Sequence, residues 1–324
     1  MKPLTLAALR LLTDQEFISG VALARALGVS RASISLALRD AEVAGTGVQR
    51  VHGRGYRLAH PTVWLKRQAI LDALGPQAQA FQLEVAGCVD STNSTLVRNA
   101  ATLQSGSVLV AELQTQGRGR RGTAWHASPG SSLTFSVLWR FESGAAALSG
   151  LSLAAGVALV RALGVHGVQA KLKWPNDVLW RNRKLSGILV EMQGDALGPS
   201  AVVIGMGVNV RLTPQDQQSI DQPTADLATA GADTLDRNRL LASILRELLA
   251  ALQRFAAHGF AGFAAEWQQH NAHAGRQATM LLPHGQTESG EVEGVADDGA
   301  LLLRTAAGIK RYHSGEIRLR AGVR

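Results

Sequence analysis

Leu6, Leu9 and Leu12, with Arg10 among them, repeat at helical spacing near the start of the chain. A second helical face, VALARAL, begins after Ser19 and stops at Gly28. A third, RASISLALRDAEVAG, follows Ser30, with Ile34, Leu36 and Leu38 as apolar positions and Ile34 and Leu38 on one face. Serine before a helix caps its free N–H groups, and glycine after one supplies the left-handed turn. Ala24 is small where two helices cross, so the three segments read as a helix-turn-helix. In VQRVHGRGYRLAHP (48–61) the pattern switches to two alternating runs around HGRG, which predicts a basic hairpin, or wing.

His60-Pro61-Thr62 reads as a linker. Beyond it FQLEVAG, SVLVAEL, LTFSVLWR, KLKW, KLSGILVEM and AVVIGMGVNV are strand candidates. LKRQAILDALG, the 145–163 run and RLLASILRELLAALQRFAAHG are helix candidates. This mixture predicts an α+β or mixed-sheet domain over 65–272. From Gly275 the runs GRQATMLL, GEVEGVADDGALLLRT and GIKRYHSGEIRLR are short strands separated by glycine turns, predicting a small SH3-like β-barrel over 273–324. The fold class is therefore α+β multidomain, with residues 1–60 as its first unit. The uncharged run between Glu142 and Arg161 is shorter than the ~20 apolar residues of a membrane span and rich in Gly, Ala and Ser. Its Leu148, Leu151, Ala155 and Leu159 predict a buried helix. MKPLTLAALRLL lacks the cleavage site of a signal peptide.

Hydrophobic residues make up 46% of the 324, ample for a core. The single cysteine, Cys88, excludes an internal disulfide framework, points to a reducing, cytoplasmic location and reads as a small core residue. Nine scattered histidines show no metal-binding spacing. A net charge of +8 implies an anionic partner: nucleic acid, phosphate or an acidic protein. The charge distribution narrows this. Arg31, Ser33, Ser35 and Arg39 suit a recognition helix in a major groove, and Arg50, His52, Arg54 and Arg57 make the hairpin suited to phosphate. The plainer alternative is a helical adaptor with a solvated charged hairpin.

GRGRRG (117–122) after SVLVAEL has the G-x-G-x-x-G spacing of a dinucleotide fingerprint. That fingerprint requires a helix next, but TAWHASPGSSLTFSVLW continues through a Pro-Gly turn into a β-run. What remains is a loop whose glycines bring backbone N–H groups to an anion and whose Arg118, Arg120 and Arg121 add permanent charge. A solvated basic loop is the competing reading.

AELQTQGRGRRGTAWHASPGSSLTFSVLW, KWPNDVLWRNRKLSGILVEM and IGMGVNV, in this order behind a helix-turn-helix, resemble the biotin–protein ligase family in its bifunctional form, which also represses biotin-synthesis genes. The resemblance covers nearly the whole chain, and KWPND followed by RKLSGILVE is its most specific part. It implies a winged helix, a central mixed-sheet catalytic domain and a C-terminal SH3-like domain. It also implies ATP and Mg²⁺, biotin as substrate, and transfer through biotinyl-adenylate to a lysine of the biotin carboxyl carrier protein of acetyl-CoA carboxylase. Operator DNA and homodimerisation of the adenylate-bound form come with it, and a membrane does not.

By the same resemblance Ser91, Thr92 and Asn93 line the biotin pocket, and Gln114, Gly119, Arg120, Gly187 and Asn209 contact biotin or its adenylate. Arg118, Lys184 and Asp177 are the catalytic group, Asn176 and Arg121 face the nucleotide, and Asp177 is the metal ligand. The chemistry wants cations, because two unit anions at 4 Å repel by about 4 kcal/mol at an effective dielectric near 20. Simpler roles exist: Ser91 as a helix cap, Lys184 as a solvated turn lysine, Asp177 as a turn cap. One departure stands out. RLTPQDQQSIDQPTADL (211–227) lacks the tryptophan associated with adenine capping in the bifunctional form. The alternatives are a lipoate–protein ligase of the same fold, a biotin sensor without ligase activity, and a ligase without operator binding.

Overall fold

Ser19 and Ser30 each turn a hydroxyl back onto the helix that follows, accepting from the N–H of Ala22 at 3.1 Å and of Ser33 at 3.0 Å. The computed structural model describes all residues except 195–197, 233–234, 282–286, 314–317 and 322–324. The capped helices are α2 (Gly20–Leu27) and α3 (Arg31–Val43), preceded by α1 (Pro3–Arg10). Gly28, at φ 65°, makes the left-handed turn through which α2 and α3 meet at 102°. Leu9, Leu23, Ile34, Leu38 and Ala41 form their shared core. Leu36 lies on the outer face of α3, 51% exposed, because position 36 falls between the turns that carry Ile34 and Leu38. β1 (Val48–Val51) and β2 (Gly55–Leu58) form an antiparallel hairpin, tied to the helices by the Ile18–Tyr56 bridge.

The middle of the chain comprises α4 (Arg67–Leu74), β3 (Gln82–Ala86), α5 (Thr92–Arg98), β4 (Ser107–Ala111), β5 (Ser132–Phe141), α6 (Leu151–Val165), β6 (Lys171–Lys173), β7 (Asp177–Trp180), β8 (Arg183–Gly194), β9 (Ser200–Asn209), α7 (Pro214–Gln218), α8 (Arg237–His258) and α9 (Ala264–His270). The strands make one mixed sheet in the order β3-β4-β5-β9-β8-β7-β6, parallel only between β3 and β4. β7 was not among the strand candidates; it is short and follows the Pro175 turn directly. The 145–163 run is also not one continuous helix. It breaks before α6 at Gly150, at φ 80°, where a Cβ would lie 2.6 Å from the Phe260 ring. The segment Ala145–Val165 is long and apolar enough to cross a membrane, yet 67% of its apolar 18-residue window is buried in protein.

Alternation along β5 and β9 gives the sheet two different faces. Leu133, Phe135 and Val137, with Val202, Ile204, Met206 and Val208, pack under the helices in the main core. On the opposite face Leu138 and Val203 pack with Leu96 of α5, but further along the same strands Thr134, Ser136, Gly205 and Gly207 take over. That end of the sheet has too little apolar surface to bury and stays open.

The last strands are β10 (Gln277–Leu281), β11 (Thr287–Val295), β12 (Leu301–Thr305), β13 (Gly308–Tyr312) and β14 (Arg318–Ala321), an antiparallel sheet in the order β13-β12-β11-β10-β14. Leu282 of GRQATMLL and residues 314–317 of GIKRYHSGEIRLR lie outside the described residues. Ala278, Met280, Val292 and Leu301 belong to the same core as the central sheet. The junction is fastened at two points: Ala272 N donates to Leu172 O at 2.8 Å, and Trp174 Nε1 donates to Gly299 O at 3.0 Å.

Candidate active site

On the open face Gly205 and Gly207 of β9 and Gly187 of β8 stand side by side, Gly207 directly opposite Gly187. A Cβ on Gly207 would lie 2.4 Å from the Trp125 indole, and one on Gly187 3.4 Å from it. The indole therefore lies flat on a glycine floor. A Cβ on Gly205 would fall 2.0 Å from Asn93 Oδ1. Above this floor opens a cavity of about 1210 Å³, larger than the ~300–1,000 Å³ usual for a small-molecule site.

Ser91, Thr92 and Asn93 begin α5 at one end of the cavity. Ser91 Oγ caps the helix, accepting from Ser94 N at 3.4 Å. Thr92 donates to Gln114 Oε1 from its N–H at 2.7 Å and its hydroxyl at 3.0 Å. Asn93 is almost fully enclosed: it accepts from Ser136 Oγ at 2.5 Å and donates to Glu191 Oε2 at 2.9 Å. Asp90 braces the turn before them. Its hydrogen bonds with Arg98, then with the Ser91 N–H, hold its carboxyl well below the usual carboxylate range.

The glycine-arginine loop closes on itself. Gly119 N donates to Thr123 O at 2.7 Å and Trp125 N to Gly117 O at 2.9 Å, so the loop also positions the indole. Arg121 takes the left-handed conformation, at φ 54°. Arg118 pairs with Glu191 at 3.0 Å. Arg120 donates to Asn176 Oδ1 at 3.4 Å, and burial, followed by the charge of Arg121, lowers its pKa.

Lys184 heads β8, and its Nζ sits 2.8 Å from Asp177 Oδ1, with Lys173 Nζ 4.0 Å from the other oxygen. The 211–224 segment comes alongside: Lys184 N donates to Pro223 O, and Ala225 N donates to Lys184 O, both at 2.9 Å. Ile220 and Pro223 line the cavity on the segment where the tryptophan is missing. Asn209 Nδ2 reaches Ala225 O at 3.0 Å, while its Oδ1 is buried and without a partner, as is Trp125 Nε1. Both residues line the cavity, where a polar ligand group could supply the missing bonds. Among the described residues no three His, Cys, Asp or Glu side chains cluster as a metal site.

Arg118→Ala is expected to leave thermal stability within about 0.5 kcal/mol, as for a surface change, since its pair with Glu191 is half exposed. Release of a bound acyl-adenylate is expected to accelerate, read by filter retention. A large loss of stability, or an unchanged release rate, would assign Arg118 a structural role.

The cavity brings together Ser91, Thr92, Asn93, Gln114, Arg118, Gly119, Arg120, Arg121, Asn176, Asp177, Lys184, Gly187 and Asn209. The second basic group lies apart, on the first three helices and the hairpin. Arg31 and Arg39 are exposed on α3, Ser35 is half-buried, and Ser33 Oγ is engaged with Ser30 Oγ at 2.9 Å. Arg54 and Arg57 both stack over Phe17, 4.6 and 4.7 Å from its centroid. Cys88 is not a core residue: it is half-buried, 3.3 Å from the N-terminal ammonium, because α1 packs against the turn ahead of Ser91. Trp125, Gly205, Gly207, Lys173, His273 and Arg276 also line the cavity but were not among the candidates. The alternate glycines of IGMGVNV were the available signal, because they strip one face of a strand.

A sequence profile of the biotin/lipoate A/B protein ligase family matches residues 85–209, and one of the biotin protein ligase C terminal domain matches residues 273–320. The chain is 38% identical over 321 residues to the bifunctional ligase/repressor BirA of Escherichia coli (strain K12), covering 98% of this chain and 97% of that one. It is 31% identical over 309 residues to the bifunctional ligase/repressor BirA of Bacillus subtilis (strain 168), covering 94% of each. The solved structure of biotin protein ligase from Aquifex aeolicus in complex with biotin and ATP is similar at a TM-score of 0.64 and 31% identity, over 74% of this chain and 99% of that one.

Proposed function

The chain belongs to the biotin/lipoate A/B protein ligase family, and from that premise we propose an ATP-dependent biotin–protein ligase that also represses transcription in response to its own adenylate. The observation that carries the ligase reading is one continuous cavity lined by the Ser91–Asn93 turn, the glycine floor, Arg120 and Lys184, with Arg118 beside Asn93 through their shared partner Glu191. A neutral ring with donors and acceptors suits the first end, and anions suit the second. We read the three units as a winged helix-turn-helix (1–60), a catalytic domain (65–272) and an SH3-like barrel (273–324).

In the first step a biotin carboxylate oxygen forms a bond to the α-phosphorus of ATP, and the bond to the bridging oxygen breaks, its electron pair leaving with pyrophosphate. Lys184, aligned by Asp177, offsets the repulsion between the two anions, and Arg118 and Arg120 hold the product. A lysine amine of the carrier protein then attacks the acyl carbon and AMP leaves. No enzyme nucleophile is needed. When bound, Mg²⁺ would be held by Asp177 and would offset the negative charge of the phosphates. Of the carboxylates beside these cations, Glu191 is taken up by Arg118 and Asn93, and Asp177 is the one we read as its ligand.

For the repressor role, Arg31, Ser35, Arg39 and Arg54 would face DNA. The 117–122 loop and the 211–224 segment both border the cavity, so an adenylate touching both would link ligand to surface. Two chains joined there would set two α3 helices on a two-fold operator. The test has two arms: transfer of labelled biotin, against lipoate, to a carrier domain, and operator binding at fixed salt with biotin or a non-hydrolysable adenylate analogue. We expect ATP-dependent biotin transfer and tighter operator binding with the analogue only, reciprocated by tighter analogue binding on DNA. Absence of transfer would overturn the ligase reading. Operator affinity indifferent to the analogue would overturn the repressor reading.

A further inference from the structure

His273 is 5% exposed, yet neither ring nitrogen has a hydrogen-bond partner. It sits on the strap between the two sheets, where Ala272 N bonds Leu172 O on one side and Gly275 N bonds Val292 O at 2.9 Å on the other. That strap places the ring in the cavity wall with Arg276, from its own turn, and Lys173, from the edge of the central sheet. Burial, then the charges of Lys173 and Arg276, lowers its pKa to about 4 and keeps the ring neutral, with one donor and one acceptor. A buried, fully unsatisfied imidazole between two cations is costly unless something fills the space.

The cations also form a connected series. Lys184 lies 2.8 Å from Asp177, Asp177 lies 4.0 Å from Lys173, and Lys173 and Arg276 both act on His273. This series of contacts starts at the lysine assigned to the biotin carboxylate and ends on the C-terminal unit. In-line displacement puts the leaving group on the side of the phosphorus opposite the attacking oxygen. The geometry points to His273, Arg276 and Lys173 as the subsite for the nucleotide's terminal phosphates and for the pyrophosphate that leaves. This assignment rests on the ligase reading and deepens it. It gives the C-terminal unit a direct part in the first step, with Arg276 as an anion ligand and His273 as a neutral N–H donor that fixes the orientation of the phosphates.

Reversal of the first step isolates the subsite, because pyrophosphate converts biotinyl-adenylate back to ATP and biotin without free AMP. Full-length Arg276→Gln and His273→Gln would be assayed for ATP formation from preformed adenylate against inorganic pyrophosphate. Each is expected to raise the pyrophosphate KM and the ATP KM about tenfold, the loss of one hydrogen bond to a charged group. The Kd for biotin alone should not change, and Arg276→Lys should recover part of the loss. Arg276 is exposed, so its substitution tests the idea even if His273→Gln fails to fold. An unchanged pyrophosphate KM in Arg276→Gln, or an equal weakening of biotin alone, overturns the assignment. A wild-type chain that makes no adenylate from biotin and ATP overturns the ligase reading and the subsite together, before any substitution is made.

Discussion

Lys184→Ala should slow adenylate formation by about 10²–10³-fold, the loss expected when one preorganised group facing developing charge is removed. The Lys184 ammonium is held in place rather than free to wander: Asp177 grips it, its own backbone pairs with Pro223 and Ala225, and its stem crosses the bare surface of Gly187. The same arrangement limits the effect on folding. Asp177 keeps Lys173 nearby, so the carboxylate is not left without a cation. Lys184→Arg keeps the charge but replaces a compact ammonium with a planar fork, and should recover only part of the rate. Single-turnover formation of the adenylate is the measurement, with the melting temperature as control. A rate within threefold of wild type would remove Lys184 from the chemistry.

The largest effect on stability is expected far from that lysine. Arg237, 2% exposed, and Glu112, with no exposed side-chain surface, form an ion pair at 2.7 Å. Arg237 also donates to Ser132 O and Val63 O, each at 3.0 Å, and Glu112 accepts from Leu65 N at 2.6 Å. Arg237→Met strands a buried carboxylate and two carbonyls, which costs about 3–5 kcal/mol. At this chain length that is a fall of about 4–7 °C in melting temperature. Arg237→Met with Glu112→Leu removes both charges and should regain much of the loss. If Arg237→Met alone melts within 2 °C of wild type, the pair is not the anchor its geometry indicates.

Where the chain's signals are local, the sequence was enough to read them. Ser19, Gly28 and Ser30 announce the ends of α2 and α3, because capping needs only a hydroxyl and three residues of backbone. The alternation in LTFSVLWR and AVVIGMGVNV marks β5 and β9. The loop arginines and KWPND could be singled out because their chemistry is unusual in itself. Features created by register or by distant contact were not legible. The indole bed exists only because β8 and β9 pair Gly187 with Gly207. His273 becomes a cavity residue only when a second sheet docks on the first, and Glu112 meets a partner 125 positions away. No window of sequence holds both members of such pairs.

The hydrogen bonds of Val63 O to Arg237 and of Leu65 N to Glu112 make the junction after the first unit a weld and not a tether. Gly45 and Gly130 reinforce it, lying so close to Ser128 and Thr62 that a Cβ would sit 2.1 and 2.6 Å away. The direction of α3 relative to the central sheet is thereby set, with no swivel to take up error. In a dimer of the kind proposed, two reading heads on stiff arms fit one separation of half-sites. Adding a single base pair between half-sites moves one of them by roughly 3.4 Å and turns it by about 35°. A flexible linker would absorb that change; this junction should convert it into lost affinity, which a series of operators differing only in spacing would reveal as a sharp single optimum, or refute as a plateau.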